Sequence, residues 1–241
     1  MPDTPDFSRY LPGSNRFSLQ DLGELAARLG SIDVYDRRGE VILLEDFAYG
    51  LSKWSAFGRG TLASVEVQAS NTNLGAYCIR MVGGSDDGLN SNIQRALGSY
   101  SFGRMGGEIS IAFPTEFDNF AFNLNYRYGS SALIGSVKID RITNAIYIQD
   151  INNLWQKIGD LTGLVNTAYS YHTLKLCVDF NTGYYIRAMF DYNGYDLSPY
   201  HMYVQGVPFE IATWCGLTFY SRATFNDVCT IGHAIFTANE Q

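Results

Sequence analysis

The chain has 241 residues, with 15% aromatic residues, 24 glycines and only 17% charged residues. That composition describes a β-rich globular protein held by aromatic and β-branched contacts, in one large sandwich or two small domains. Seventeen basic against 24 acidic residues leave a net charge of -7, and no local Lys/Arg cluster offsets it, so nucleic acid is not an expected partner.

Met1 to Phe17 has no apolar core of a secretory signal, and nowhere do roughly 18 uncharged apolar residues run together as a membrane span requires. The expectation is a chain without a membrane partner, kept in a cytosol or released by a route other than secretion. Pro2, Pro5 and Pro12 make residues 1–17 an extended arm with little to bury on its own domain. Ser18 to Leu29 is predicted to be the one helix. Ser18 and Asp21 form a capping-box-like start, Leu19, Leu22, Leu25, Ala26 and Leu29 make one apolar stripe, and Gly30 sits at the C′ position. The stripe either covers part of the domain that follows or docks on another subunit. Residues 1–39 are read as an assembly segment and 40–241 as the domain it anchors.

A turn at Asp36-Arg37-Arg38-Gly39 leads into Glu40 to Phe47, whose odd spacing puts Glu40 and Glu45 on opposite faces of a strand. Strand-like runs then recur between turn residues: Leu62 to Ala69, Gly75 to Val82, Asn90 to Leu97, Glu108 to Phe113, Asn119 to Tyr128, Leu133 to Asp140, Asn144 to Gln149 and Leu154 to Ile158. Ile211 to Tyr220 and Val228 to Thr237 close the chain. The oxygen-rich loop from Ser85 to Asn90 lacks EF-hand spacing and reads as a solvated hairpin loop. The clearest stretch is Tyr171 to Leu197, a β-meander. Leu174, Leu176, Val178 and Phe180 alternate with a wetter face of Thr173, Lys175, Cys177 and Asp179. Asn181-Thr182-Gly183 turns the chain, Tyr184, Ile186, Ala188 and Phe190 continue the apolar face, and Asn193-Gly194 supplies a second tight turn. About a dozen strands, short connections and a single helix predict an all-β, antiparallel sandwich. Cys78, Cys177, Cys215 and Cys229 lack ligand spacing and are expected as free thiols inside strands.

Three segments, EDFAYGLSKW from Glu45 to Trp54, HTLKLCVDFNTGYYIRAMFDYNGYDL from His172 to Leu197 and FNDVCTIGHAIF from Phe225 to Phe236, resemble concanavalin A-like, laminin-G-like jelly-roll domains. The resemblance covers residues 40–237 and implies a jelly-roll sandwich with first and last strands side by side. It also implies a structural calcium near those strands, for which the matching acidic positions are Glu45 or Asp46 and Asp227. Members of this fold serve as lectins, carbohydrate-binding modules, glycosidases and virion surface proteins, so the fold leaves the role open.

A glycosidase would need two carboxylates across a cleft, and neither Glu108 with Glu116 nor Glu40 with Glu45 has the spacing. No Gly-x-Ser-x-Gly occurs, and His172, His201 and His233 have no thiol or acid beside them in sequence. The expectation is a protein that is not an enzyme. Sugar binding would use aromatic platforms beside amide side chains. Asn119, Asn123, Asn125 and Arg127 share one strand face opposite Phe120, Phe122, Leu124 and Tyr126, and Trp155 in its polar context is a candidate platform. Trp54 is expected to pack in the core and Trp214 to be buried.

The leading expectation is a structural component of an assembled particle, a virion capsid-accessory, decoration or tail surface protein. Its partners would be protein neighbours in a homo- or hetero-oligomer, gripped through the N-terminal arm, and its location the virion. The alternative is a carbohydrate-binding, lectin-like module with a glycan partner.

Overall fold

The computed structural model describes residues 38–70, 72, 76–84, 90–98, 103–161, 163–206, 211–222 and 225–241. The expected arm and helix at 1–29 and the loop 85–89 lie outside the described residues.

The described chain is built of 16 strands with every pairing antiparallel, arranged in two sheets. From the N-terminus they are β1 (Glu40–Glu45), β2 (Ser55–Gly58), β3 (Ser64–Gln68), β4 (Cys78–Val82), β5 (Asn90–Gly98) and β6 (Arg104–Ala112). Then come β7 (Asn119–Tyr128), β8 (Ser131–Asp140), β9 (Ala145–Gln149), β10 (Trp155–Asp160), β11 (His172–Asp179) and β12 (Tyr184–Phe190). The last four are β13 (Asn193–Asp196), β14 (Tyr203–Gly206), β15 (Ala212–Tyr220) and β16 (Val228–Ala238). The first sheet runs β13-β12-β11-β6-β16-β4-β3, with β1 pairing the far half of β16. The second runs β10-β9-β8-β7-β15-β5-β2, with β14 beside the first half of β8. First and last strands do pair, as the jelly-roll resemblance implies. The chain has a concanavalin A-like jelly-roll sandwich.

Alternation explains the core. Phe120, Phe122, Leu124 and Tyr126 of β7 meet Ile109, Leu174, Leu176, Val178 and Phe236 of the first sheet in one buried cluster. Ile93, Leu217, Val137 and Ile148 extend it across the second sheet. Gly107 lets the sheets approach, because a Cβ there would collide with the Phe122 ring. A Phe or Leu side chain fully buried in such a core contributes about 1.5–3 kcal/mol.

Register departs from the sequence reading in three places. A bulge between Val41 and Leu43 sets both Glu40 and Glu45 opposite small residues of one β16 face, Ala238 and Ala234. Directly opposed residues share a face, so the odd spacing does not separate the two glutamates. A second bulge at Cys177/Val178 pairs Val178 with Tyr185, which brings Tyr185 into the core and leaves Tyr184 exposed. The β12–β13 turn is Asp191-Tyr192, because Phe190 pairs with Asn193; Asp191 takes the positive φ of 50°. Asn193-Gly194 therefore opens β13. The short strands β2, β13 and β14 were not expected, being too short for period-2 patterning to stand out.

The largest correction concerns the outer side of β11. Lys175, Cys177 and Asp179 are all buried. Lys175 Nζ lies 2.9 Å from Glu240 Oε1, and the same carboxylate pairs with Arg187 and accepts from Thr237 Oγ1 at 2.5 Å. The C-terminal residues thus fold back over the first sheet.

Candidate functional site

The outer face of the second sheet is positioned by the same alternation that fills the core. With Phe122 and Leu124 inward, Asn123, Asn125 and Arg127 of β7 point outward, so the structure places these three sequence candidates on one face. Register then carries the pattern across strands. Gly216 stands opposite both Gln94 and Asn123, Asn123 opposite Ser136, and Gln149 opposite Trp155. Ser136 Oγ donates to Gln149 Oε1 at 3.3 Å, which closes the remaining step. One uncharged row, Gln94, Gly216, Asn123, Ser136, Gln149 and Trp155, therefore crosses six strands. At about 4.8 Å per strand spacing it spans roughly 24 Å.

Aromatic rings stand beside the row, one near its middle and a group at its β10 end. Trp214 on β15, opposite Asn125, is half-buried on this outer face rather than buried in the core, and the Arg127 guanidinium sits 5.4 Å over its ring. At the β10 end Lys138 Nζ lies 4.8 Å from the Tyr147 ring and 4.9 Å from the Trp155 ring, a cation–π arrangement covering one face of each ring. Trp155, 38% exposed, keeps its remaining surface toward solvent. Trp54, by contrast, packs in the core beside Phe47 as expected.

The face holds unspent hydrogen-bonding capacity. Asn125 Nδ2 donates to Asn123 Oδ1 at 3.0 Å, while Asn125 Oδ1, Asn92 Oδ1 and Trp214 Nε1 have no hydrogen-bond partner among the described residues. These three atoms are occluded from solvent, and such unpartnered polar atoms are rare in native proteins.

The gap between β9 and β14 along β8 is closed from inside. Tyr185 reaches through the core and its hydroxyl takes a hydrogen bond from Ser136 N at 2.9 Å and donates to Gln149 O at 2.7 Å. Burial pushes this phenol's pKa far above its ordinary value, so it stays a neutral donor and fixes the backbone beneath Ser136 and Gln149.

The acidic residues expected near the first and last strands have other partners. Glu45 binds Arg95 and accepts from Trp54 Nε1 at 3.3 Å and Phe47 N at 3.1 Å. This joins β1 of one sheet to β5 of the other, so the EDF…W segment that carries the resemblance is a structural clasp. Asp46 Oδ1 accepts the local Ala48 amide at 3.0 Å. Asp227 is gripped by Arg222, Nε to Oδ2 at 3.0 Å and Nη2 to Oδ1 at 2.8 Å. Such bidentate pairing occupies the lone pairs that a hard cation would need. Among the described residues no group of three or more His, Cys, Asp or Glu could hold a metal ion.

Folding does give one histidine an acid that sequence adjacency did not show. His172 Nδ1 stands 2.7 Å from Asp191 Oδ2, but its Nε2 accepts from Val165 N at 3.2 Å. Both ring nitrogens are thus used in holding the loop before β11, and the pair serves as a fastener. The four cysteines are free and buried. Burial raises the thiol pKa of Cys215 to about 12 and that of Cys229 well above the ordinary value, which keeps them protonated and unreactive.

Comparisons with known proteins define the class of fold. The chain resembles the cellulose-induced protein Cip1, with TM-score 0.52, 11% identity and coverage of 81% of this chain and 96% of that one. It also resembles a lectin from Bauhinia forficata in complex with GalNAc, with TM-score 0.52, 10% identity and coverage of 82% and 97%. A Bacillus subtilis protein of unknown function with a galectin-like fold gives TM-score 0.52, 8% identity and coverage of 83% and 97%. No family model and no curated protein matches the sequence. Among the described residues no helix is long and apolar enough to cross a membrane.

Proposed function

We propose that this chain is a carbohydrate-binding module that holds an oligosaccharide across the strands of the second sheet. The observation that carries the reading is the uncharged row from Gln94 to Trp155, with Trp214 and Tyr147 beside it. Planar amides supply paired donors and acceptors for sugar hydroxyls, and ring faces take the apolar side of a pyranose. The row carries no carboxylate, so nothing in it performs the acid–base work of glycoside hydrolysis. The similar lectin binds GalNAc in its own structure; at that identity the likeness speaks for the fold, and the binding reading rests on the row.

The test is retention on a glycan array. The intact protein is expected to retain at least one oligosaccharide class. Trp155→Ala and Asn123→Ala should each weaken retention by about tenfold, the equivalent of about 1.4 kcal/mol. If the intact protein retains nothing, the reading fails. The assembly role expected from the arm and helix depends on residues 1–39 and is a separate proposal, tested by whether deletion of residues 1–17 abolishes incorporation into a particle.

A further inference from the structure

The charges around the row point to the chemical class of the glycan. The row itself holds no ionised side chain, so selectivity for charge falls to the neighbouring outward positions. There Lys138 and Lys157 each have a carboxylate of their own, and the Arg127 guanidinium is engaged over the Trp214 ring 5.4 Å away. Lys138 Nζ lies 2.9 Å from Asp140 Oδ2, and Lys157 Nζ lies 2.6 Å from Asp160 Oδ1. Asp140 is built into the sheet rather than loosely tethered. Its Oδ1 accepts from Thr143 N and Thr143 Oγ1, both at 3.0 Å, and Tyr147 donates to the same Thr143 hydroxyl at 3.0 Å. Burial works to raise the Asp140 pKa, but the hydrogen bonds from Thr143 and Lys138 outweigh it and hold the value below that of an ordinary aspartate. Asp140, Thr143, Tyr147 and Lys138 therefore form one connected unit beside Trp155. An ammonium next to a carboxylate offers a donor and an acceptor side by side, a pattern met by two adjacent hydroxyl groups. An anionic ligand would instead have to displace Asp140 or sit against it, and like-charge juxtaposition at an interface is strongly unfavourable.

We infer that this face takes neutral polyhydroxylated glycans in preference to carboxylated or sulfated ones, with Lys138 and Asp140 acting together as the specificity-determining pair. The inference rests on the glycan-binding reading above. It is tested on an array carrying neutral gluco-, manno-, xylo- and galacto-oligosaccharides beside uronate-containing, sialylated and sulfated ones. The full chain should retain neutral glycans, with less than about a twofold change between about 0.05 and about 0.5 M NaCl, since no ion pair to the ligand is being screened. Asp140→Asn, which frees the Lys138 charge, should gain about fivefold in retention of carboxylated glycans, and Lys138→Met should show no such gain. Retention confined to acidic glycans and collapsing in salt overturns the inference while leaving the glycan-binding reading standing. So does neutral retention without any gain in Asp140→Asn. Loss of all retention by the unsubstituted protein removes both.

Discussion

The two outward faces of this sandwich begin from the same period-2 alternation and end differently. On the first sheet Glu108, Ser110, Lys175, His233 and Thr237 are buried, and Glu240 from the C-terminal tail, only 1% exposed, ties Lys175 and Arg187 down. On the second sheet Gln94, Asn123, Gln149 and Trp155 stay wholly or partly accessible, and the bonds of their amides run to neighbouring uncharged side chains, Asn123 to Asn125 and Gln149 to Ser136 and Asn153. Full charges on one face are paired inside the protein and sealed; small amides and aromatic rings on the other are left open. Charged groups tolerate burial only when paired, whereas an amide row can wait in water for a ligand at little cost. A polar outer face is thus a candidate site only where its polar groups stay within reach of solvent.

The comparison is broken most severely by opening the sealed face. Glu240→Ala removes the buried carboxylate that pairs with both Lys175 and Arg187, and breaking a buried pair typically costs about 3–5 kcal/mol. Urea unfolding should show that drop, whereas Asn125→Ala on the open face should cost less than about 1 kcal/mol. Equal losses for the two variants would mean that the faces do not differ in the way described.

His233 gives the sealed face a pH signature. Its ring is 4% exposed with neither nitrogen bonded among the described residues, and burial lowers its pKa to about 4. An unfolded histidine titrates near 6.5, so between about 6.5 and about 4 the unfolded chain holds a proton that the folded chain does not. Stability from this group is full above about 6.5, falls as pH drops toward about 4 and levels off below it. The loss reaches about 3 kcal/mol. His233→Leu should remove this component, so the urea-derived stability of the variant relative to the parent should rise by about 3 kcal/mol as pH falls across that window. Parallel curves would show that the ring is not held neutral.

How much of this was legible depends on whether the cause was local. Leu174, Leu176 and Val178 announce a strand because their partners lie two residues away, and Asn123, Asn125 and Arg127 stand on one face for the same reason. Lys175 could not be read as buried, because its partner Glu240 comes from the other end of the chain. The same holds for the row: Ser136, Gln149 and Gly216 join Asn123 only through strand order and register, which no local pattern encodes. The bulge at Val41/Leu43 brings Glu40 and Glu45 to one face and that at Cys177/Val178 turns Tyr184 outward, and nothing in those residues marks the extra position. Trp214 was the one recoverable miss. In TWCGLTFY, Trp214, Gly216 and Thr218 alternate with buried Cys215, Leu217 and Phe219, a period that apolar composition concealed.

The smallest expected effect on stability comes with a specific effect on binding, and two glycines separate the cases. Gly159 lies against the Tyr195 ring, where the edge of one sheet meets the edge of the other. A methyl group there must push a packed ring, so Gly159→Ala should cost about 1–3 kcal/mol in urea unfolding. Gly216 faces the free end of a side chain instead: a Cβ would come within 2.8 Å of Asn123 Oδ1 and 3.0 Å of Nδ2. Asn123 can swing away by rotating its side chain, and alanine in a strand regains part of the conformational entropy that glycine loses. Gly216→Ala should therefore change stability by less than about 1 kcal/mol. The displaced amide, however, is the centre of the row, so retention on the array should fall while the fold is untouched. Undiminished retention by Gly216→Ala, with an unfolding midpoint equal to that of the parent chain, would show that the ligand does not cross the sheet at Asn123.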